Sequence, residues 1–279
     1  MTLPSFGWLL LFFLIPSLII FAYALKPEDS FGGVGEGWTF DTILSIFDTN
    51  YFMLIWRTLW LSCLTTLFCL VLALPVGYQL AISKPKWRRL LLILLVIPFW
   101  TSFLIRIFAW KTLLHPEGLF KKLLVAFHLA SPEATLLYNS AAVLLVMVYT
   151  YLPFAVFPIY AAASKFNFQL IEAALDLGAS RIEAFFKVFV PGIKKGILTA
   201  MVMVFIPAIG AYVIPDLVGG SNSEMIGNKI AQRTFNDRNL PQASALSAFL
   251  GLVVLIPMAL VALWTKRSKV IEAEARNKE

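Results

Sequence analysis

The chain has 279 residues, 59% hydrophobic and only 14% charged, where an ordinary soluble domain carries about 25% charged residues. With a mean hydropathy of +0.81, this excludes a disordered chain and a disulfide-framed secreted module, and it argues against a soluble two-domain enzyme. What fits is an all-α polytopic membrane protein. The formal net charge of +7 comes from 23 Lys and Arg against 16 Asp and Glu. The basic residues sit in short loops between apolar stretches, so membrane topology explains them, and no loop reads as a nucleic-acid domain.

Six apolar stretches, near 7–25, 58–82, 90–110, 141–163, 197–218 and 243–264, are long enough to cross a hydrocarbon core of about 30 Å at about 1.5 Å per residue. They define a single transmembrane domain over 1–279. The first stretch ends in Ala22-Tyr23-Ala24, which resembles a signal-peptide cleavage site. Residues 1–6 hold no Lys or Arg, however, and the apolar run exceeds a usual signal core, so the stretch reads as a span. Cys63 and Cys69 lie about 120° apart around one helix, cannot pair, and read as small packing residues. Prolines recur within the spans at Pro16, Pro75, Pro98, Pro153, Pro158, Pro207, Pro215 and Pro257, and each removes a helix hydrogen bond.

The loops set the orientation. With the N-terminus inside, the inner loops 83–89, 164–196 and 265–279 hold Lys84, Lys86, Arg88, Arg89, Lys165, Arg181, Lys187, Lys194, Lys195, Lys266, Arg267, Lys269, Arg276 and Lys278. The outer loops and span ends hold fewer: Lys26, Arg57, Lys111, Lys121, Lys122, Lys229, Arg233 and Arg238. This bias predicts both termini in the cytoplasm. The first outer loop is acidic, with Glu28, Asp29, Glu36, Asp41 and Asp48. Trp56, Trp60, Trp110 and Trp264 stand at span ends as interfacial anchors. His115 and His128 fall in the second outer loop without a ligand cluster, so no metal site is expected. The tail 266–279 is mixed in charge and reads as a solvated end.

The segment between spans four and five is the most specific. Asn167 is placed to N-cap a first helix, Gly178 to end it in the left-handed region, and Ser180 with Glu183 to form a capping box for a second. Ile182, Phe185, Phe186, Phe189 and Val190 fall on one predicted apolar stripe, and Pro191 marks its end. Glu172 and Asp176 share a face, and Ala173, Ala174 and Ala179 keep the turn slim. On spacing alone this is either a compact projection for a partner or an amphipathic loop under the bundle.

The sequence Glu172-Ala173-Ala174, three residues, Gly178-Ala179, then an apolar helix ending in Pro191, resembles the EAA loop of binding-protein-dependent ABC importer permeases with the type I (MetI-like) fold. Ile97-Pro98-Phe99-Trp100-Thr101-Ser102-Phe103-Leu104-Ile105-Arg106, Leu152-Pro153-Phe154, Asp216-Leu217-Val218-Gly219-Gly220 and Ile226-Gly227-Asn228 are similar to blocks of spermidine/putrescine permeases of the PotB type. The resemblance implies a six-span subunit of a bacterial inner-membrane importer of polyamines. It implies docking of residues 164–196 onto a separate ATPase present in two copies, a second homologous permease, and an extracytoplasmic polyamine-binding protein. The chain has no Gly-x-x-x-x-Gly-Lys-Ser/Thr loop, so ATP and magnesium are expected on the ATPase, and no cofactor in this chain. Sulfate, iron or another organic solute is the alternative cargo.

A polyamine path calls for aromatic faces and a carboxylate. Trp100 beside Pro98 is the first candidate, with Tyr149 or Tyr151 in span four as weaker ones. Asp216, at the outer end of predicted span five, either meets a cation or pairs with Arg106 or Arg57. Two rival functions fit less well. An ion-coupled secondary transporter is expected to show repeats and midplane ionisable groups, and an intramembrane protease needs a base at membrane depth, whereas both histidines lie in a loop.

Overall fold

The computed structural model describes residues 3–29, 32–128, 131 and 133–256. Predicted span six beyond residue 256, with Pro257 and Trp264, and the basic tail lie outside them. Among the described residues every regular element is helical. Three helices are long and apolar enough to cross a membrane: Ser5–Tyr23, Tyr51–Ile82 and Ser140–Ala163. Two bent pairs add a fourth and fifth candidate span: Pro85–Trp100 with Phe103–Ala126, and Arg181–Gly192 with Lys194–Ile209. Leu240–Ile256 is a shorter apolar helix at predicted span six.

The chain divides into two compact units, 1–54 with 229–279, and Ile55–Asn228. In the first unit, the helix that ends at Tyr23 leads into a loop tied by backbone bonds, Thr39 N–H to Leu25 O at 2.9 Å and Gly33 N–H to Arg238 O at 2.8 Å. Arg233 donates to Asp237 at 2.8 Å and to the Tyr51 hydroxyl at 3.1 Å, which fastens the 232–237 segment to the start of span two.

The second unit holds the core. Spans four and five run antiparallel. Tyr151 donates to the Pro207 carbonyl at 3.2 Å, and eleven residues further along span four Ala162 lies against Gly196. Along this contact Ala155, Ile159 and Ala163 of one helix and Ala200, Val204 and Ala208 of the other are fully buried, small or β-branched residues that let backbones approach. Spans two and four run parallel: Thr65 meets Met147, the Cys69 thiol donates to Val148 O at 3.6 Å, and Gly77 packs on Ile159. That pairing is what two spans of equal parity must show. Cys69 is buried and Cys63 exposed, as their phase difference requires.

Two spans depart from the sequence expectation. Predicted span three turns by 93° between Trp100 and Phe103, where Thr101 and Ser102 are extended after the Pro98 turn. Predicted span five, 197–218, stops at Ile209, and a separate helix, Val213–Val218, follows Gly210. By contrast Pro75, Pro153, Pro158 and Pro207 sit within continuous helices.

A Cβ at Gly77 meets Ile159 Cγ2 at 2.5 Å, and one at Gly196 meets Ala162 and the Pro158 carbonyl. Gly77→Val and Gly196→Val should each destabilise the helix packing by about 1–3 kcal/mol, the usual cost of overfilling a packed interface. A lowered thermal midpoint of the purified subunit, with Gly7→Val unchanged as an open-space control, is the check.

Candidate functional site

The segment after span four folds as a helix, a tight turn and a second helix. Ala163 closes span four, and Asn167 Oδ1 accepts from Gln169 N–H at 3.1 Å, so the first helix runs Gln169–Asp176. Asn167 thus caps through an Asx-type turn one residue before the expected position, and Phe168 is the boundary residue. Gly178 takes φ +89°, with Gly178 N–H on Leu175 O at 2.9 Å and Ala179 N–H on Ala174 O at 3.0 Å. These two bonds are a Schellman motif, and they clasp Ala174 to Ala179.

Ser180 and Glu183 form the capping box, with Glu183 N–H to Ser180 Oγ at 3.2 Å and Ser180 N–H to the Glu183 carboxylate at 3.0 Å. The Ser180 backbone bond, then Lys187 at 3.0 Å, hold the Glu183 carboxyl down to about 2. A depressed carboxylate stabilises its partner geometry above the ordinary glutamate range and loses that contribution as pH falls towards about 2. The box is therefore intact at any physiological pH.

The predicted single stripe divides in two. Phe189 is fully buried and Phe185 half-buried, whereas Ile182 and Phe186 are 72% and 61% exposed. Each pair is four residues apart, so each occupies its own face, and a π-turn at Phe185–Phe189 widens the helix between them. The inner pair joins an aromatic cluster that sequence reading missed. The Tyr78 ring lies 4.9 Å from Phe189, 5.4 Å from Phe185 and 5.8 Å from Phe168, all edge to face. Phe166 packs on Phe168 at 5.3 Å and on Phe189 at 5.4 Å. This cluster fastens the loop to the end of span two. Three of its phenylalanines stand at positions 166, 185 and 189, spacings that only the folded turn brings together.

The outward face is apolar at its tip. Leu177 is 89% exposed, and Leu170, Ile182 and Phe186 stand out beside it, with the Glu172 and Asp176 carboxylates and Ala173 also at the surface. Pro191 is exposed in the last turn, and the chain bends by 75° at Ile193 into the helix Lys194–Ile209. The site thus joins a projecting knob to a membrane span through one bend.

Residues 1–269 match the family model of the binding-protein-dependent transport system inner membrane component. It belongs to that family. It is a membrane permease subunit of an ABC importer, not an enzyme. Two relatives are spermidine/putrescine transport system permease proteins PotB, from Haemophilus influenzae and Escherichia coli, each 35% identical. The first aligns over 91% of this chain and 88% of its own length, the second over 89% and 90%. An inner membrane ABC transporter permease protein of E. coli, YdcU, is 28% identical over 81% of this chain and 74% of its own. A bacterial ABC transporter for import of the acidic polysaccharide alginate shares the fold, with a TM-score of 0.74 at 20% identity over 96% of this chain and 94% of that one.

The path candidates lie apart from the loop. Trp100 is 83% exposed at the elbow of the third span. Tyr149 packs edge to face on Trp110 at 5.3 Å, and Tyr151 is buried against span five. Asp216 is exposed on the short helix after span five. The expected ion pair to Arg106 or Arg57 does not form. The Arg106 guanidinium lies over Phe99 at 4.7 Å and Phe103 at 5.9 Å, with Nε and Nη1 buried without an acceptor, and Arg57 donates to Glu224 O at 3.4 Å. Ring faces, not a carboxylate, hold the Arg106 charge. Among the described residues no cluster of His, Cys, Asp and Glu could hold a metal ion.

Gly178 has open space around its Cα, so a substitution there meets only backbone strain. Gly178→Val should weaken the turn and lower any ATPase stimulation that depends on it, because a left-handed L-residue costs about 1–2 kcal/mol. Gly178→Asn, which tolerates that region, should retain most of the stimulation. ATPase assays of the assembled transporter compare the two.

Proposed function

We propose that this chain forms part of the translocation path of a polyamine importer and drives it through residues 164–196. The observation that carries the reading is the knob itself. A Schellman turn and a capping box fix two short helices, an aromatic cluster bolts them to span two, and the bare apolar tip with Glu172 and Asp176 faces outward. A rigid projection with unused apolar and acidic surface suits docking into a cleft of a separate ATPase, where ATP and magnesium bind. The basic bias of the inner loops supports both termini and the knob lying in the cytoplasm of a bacterial cell. Two ATPase copies, a second homologous permease and an extracytoplasmic binding protein complete the machine.

The polyamine assignment rests on the 35% relatives, supported by the exposed carboxylate of Asp216, which forms no ion pair among the described residues. With Arg106 occupied by ring faces, Asp216 is free to receive an ammonium group. Trp100 offers an exposed indole face at a span elbow, and Tyr149 is the secondary aromatic.

Uptake of labelled spermidine, putrescine, sulfate and ferric ion by vesicles holding the complete transporter tests the reading. ATP is supplied on the knob's side and binding protein on the other. Polyamine uptake should require ATP and should be lost when Glu172→Lys and Gly178→Val are combined. ATP-dependent uptake of sulfate or iron alone would retain the machine and discard the cargo. Asp216→Asn should cut polyamine uptake several-fold while leaving assembly intact. Trp100→Ala should reduce uptake more than Trp100→Phe, and wild-type rates in both would remove Trp100 from the path.

A further inference from the structure

The first loop, between the end of span one at Tyr23 and the start of span two, contains a short helical stretch, Asp41–Leu44 continuing as Ser45–Phe47. Its side chains sort into three faces. Ile46 is buried in the protein, with Ile43 half-buried beside it. Asp41 is exposed to one side and accepts from the Thr39 hydroxyl at 2.7 Å, while Thr42 and Ser45 bond to carbonyls at 2.8 Å. The third face carries Phe40, Leu44 and Phe47, spaced four and three residues apart and therefore aligned, and all three are large, apolar and exposed. A loop in water has no reason to turn two phenylalanines and a leucine outward together while burying an isoleucine behind them.

One contact sets the depth of this face. The Phe47 ring meets the Phe249 ring edge to face at 6.4 Å, and Phe249 lies ten residues into the apolar helix Leu240–Ile256. Ten residues of helix are about 15 Å, so Phe47 stands beside the body of a membrane helix, not beyond its end. The anchoring is equally specific. Thr42 donates to the Lys26 carbonyl, Thr39 N–H to the Leu25 carbonyl, and the Lys26 ammonium lies 4.4 Å over the exposed Trp38 ring. Lysine and tryptophan together are the side chains that settle at a headgroup boundary. The stretch is thus tethered by spans at both ends, rimmed by Lys26 and Trp38, and in contact through Phe47 with the apolar helix that carries Phe249.

We propose that residues 38–47 form a membrane-embedded foot, with Phe40, Leu44 and Phe47 in the acyl region of the leaflet where span one ends and Trp38 and Lys26 at its headgroups. The occupant of the apolar face is phospholipid. Asp41 then points to water, and the acidic half of the loop, with Glu28, Asp29 and Glu36, is held just above the membrane. The inference rests on the membrane-span reading but not on the cargo or on the direction of transport.

The experiment uses the assembled transporter in lipid nanodiscs, with Cys63→Ser and Cys69→Ala, and a nitroxide on Leu44→Cys, Phe40→Cys or Glu36→Cys in turn. Collision with oxygen, which concentrates in lipid, is compared with collision with a water-soluble nickel chelate. The oxygen-to-nickel ratio should be several-fold higher at 40 and 44 than at 36, and saturating binding protein should leave it unchanged. Nickel-dominated collision at 40 and 44 would mean a solvated loop and overturn the foot. Low accessibility to both reagents would place another subunit on the face, and loss of oxygen access only on adding binding protein would make that protein the occupant; either overturns the proposal. Because neither substrate nor ATP enters the measurement, its failure is separable from failure of polyamine uptake, and labels at 40 and 44 guard against one variant that misfolds.

Discussion

The packing of Phe189 is the constraint on which the seating of the loop 164–196 depends. This ring is fully buried among Tyr78, Phe166, Phe168 and Phe185, which come from the end of span two, the stretch between span four and the first loop helix, and the second loop helix. Edge-to-face aromatic pairs contribute about 0.5–1.5 kcal/mol each beyond area burial, and the cluster holds several. A loop that is to pass motion into a membrane domain must not slide on that domain. Here the tether is apolar and multiply connected, whereas the outward face of the same helices is bare. The π-turn at Phe185–Phe189 is what separates the two faces, by letting one short helix present Phe185 and Phe189 inward and Ile182 and Phe186 outward.

Proline is a poor guide to where these spans break. Pro75, Pro153, Pro158 and Pro207 remain in continuous helices, and the carbonyl of Pro207 is used by the Tyr151 hydroxyl. The third span turns where Thr101 and Ser102 leave the helical region after Pro98, and the helix Lys194–Ile209 is bounded by the bend at Ile193 and by Gly210. A missing N–H bends a helix gently, while two consecutive extended residues redirect it. Backbone groups freed at such breaks need partners, and one is visible in the Asn228 amide, which donates to the Tyr212 carbonyl at 2.9 Å.

What was legible in the sequence was local. Span four was placed within a residue at Ser140–Ala163, and Gly178, Ser180 and Glu183 do what their spacing announces, because caps and turns depend on neighbours within five residues. What was not legible depends on distant partners. Nothing in the spacing of Phe166, Phe185 and Phe189 points to Tyr78, and a helical wheel cannot anticipate a π-turn that splits its stripe. The pairing of Asp216 with Arg106 failed for a similar reason. Charge complementarity suggested it, but Phe99 and Phe103 stand close enough in the folded span to hold the guanidinium themselves. The extent of span five was also misjudged, since hydropathy runs unbroken through the Gly210 interruption.

That interruption bounds the helix that leads away from the loop. From the bend at Ile193, the helix Lys194–Ile209 runs 16 residues, about 24 Å, before Gly210 releases it into the short helix that carries Asp216. Along that length it is held to span four by the Gly196 contact near one end and the Tyr151 bond near the other. Spans four and five are thus packed together along that length, and the aromatic cluster ties the knob to the end of span two. Tight packing of this kind is displaced as a unit and does not deform gradually. After the bend at Ile193, Gly210 is thus the next break in the chain, and the exposed Asp216 lies six residues beyond it.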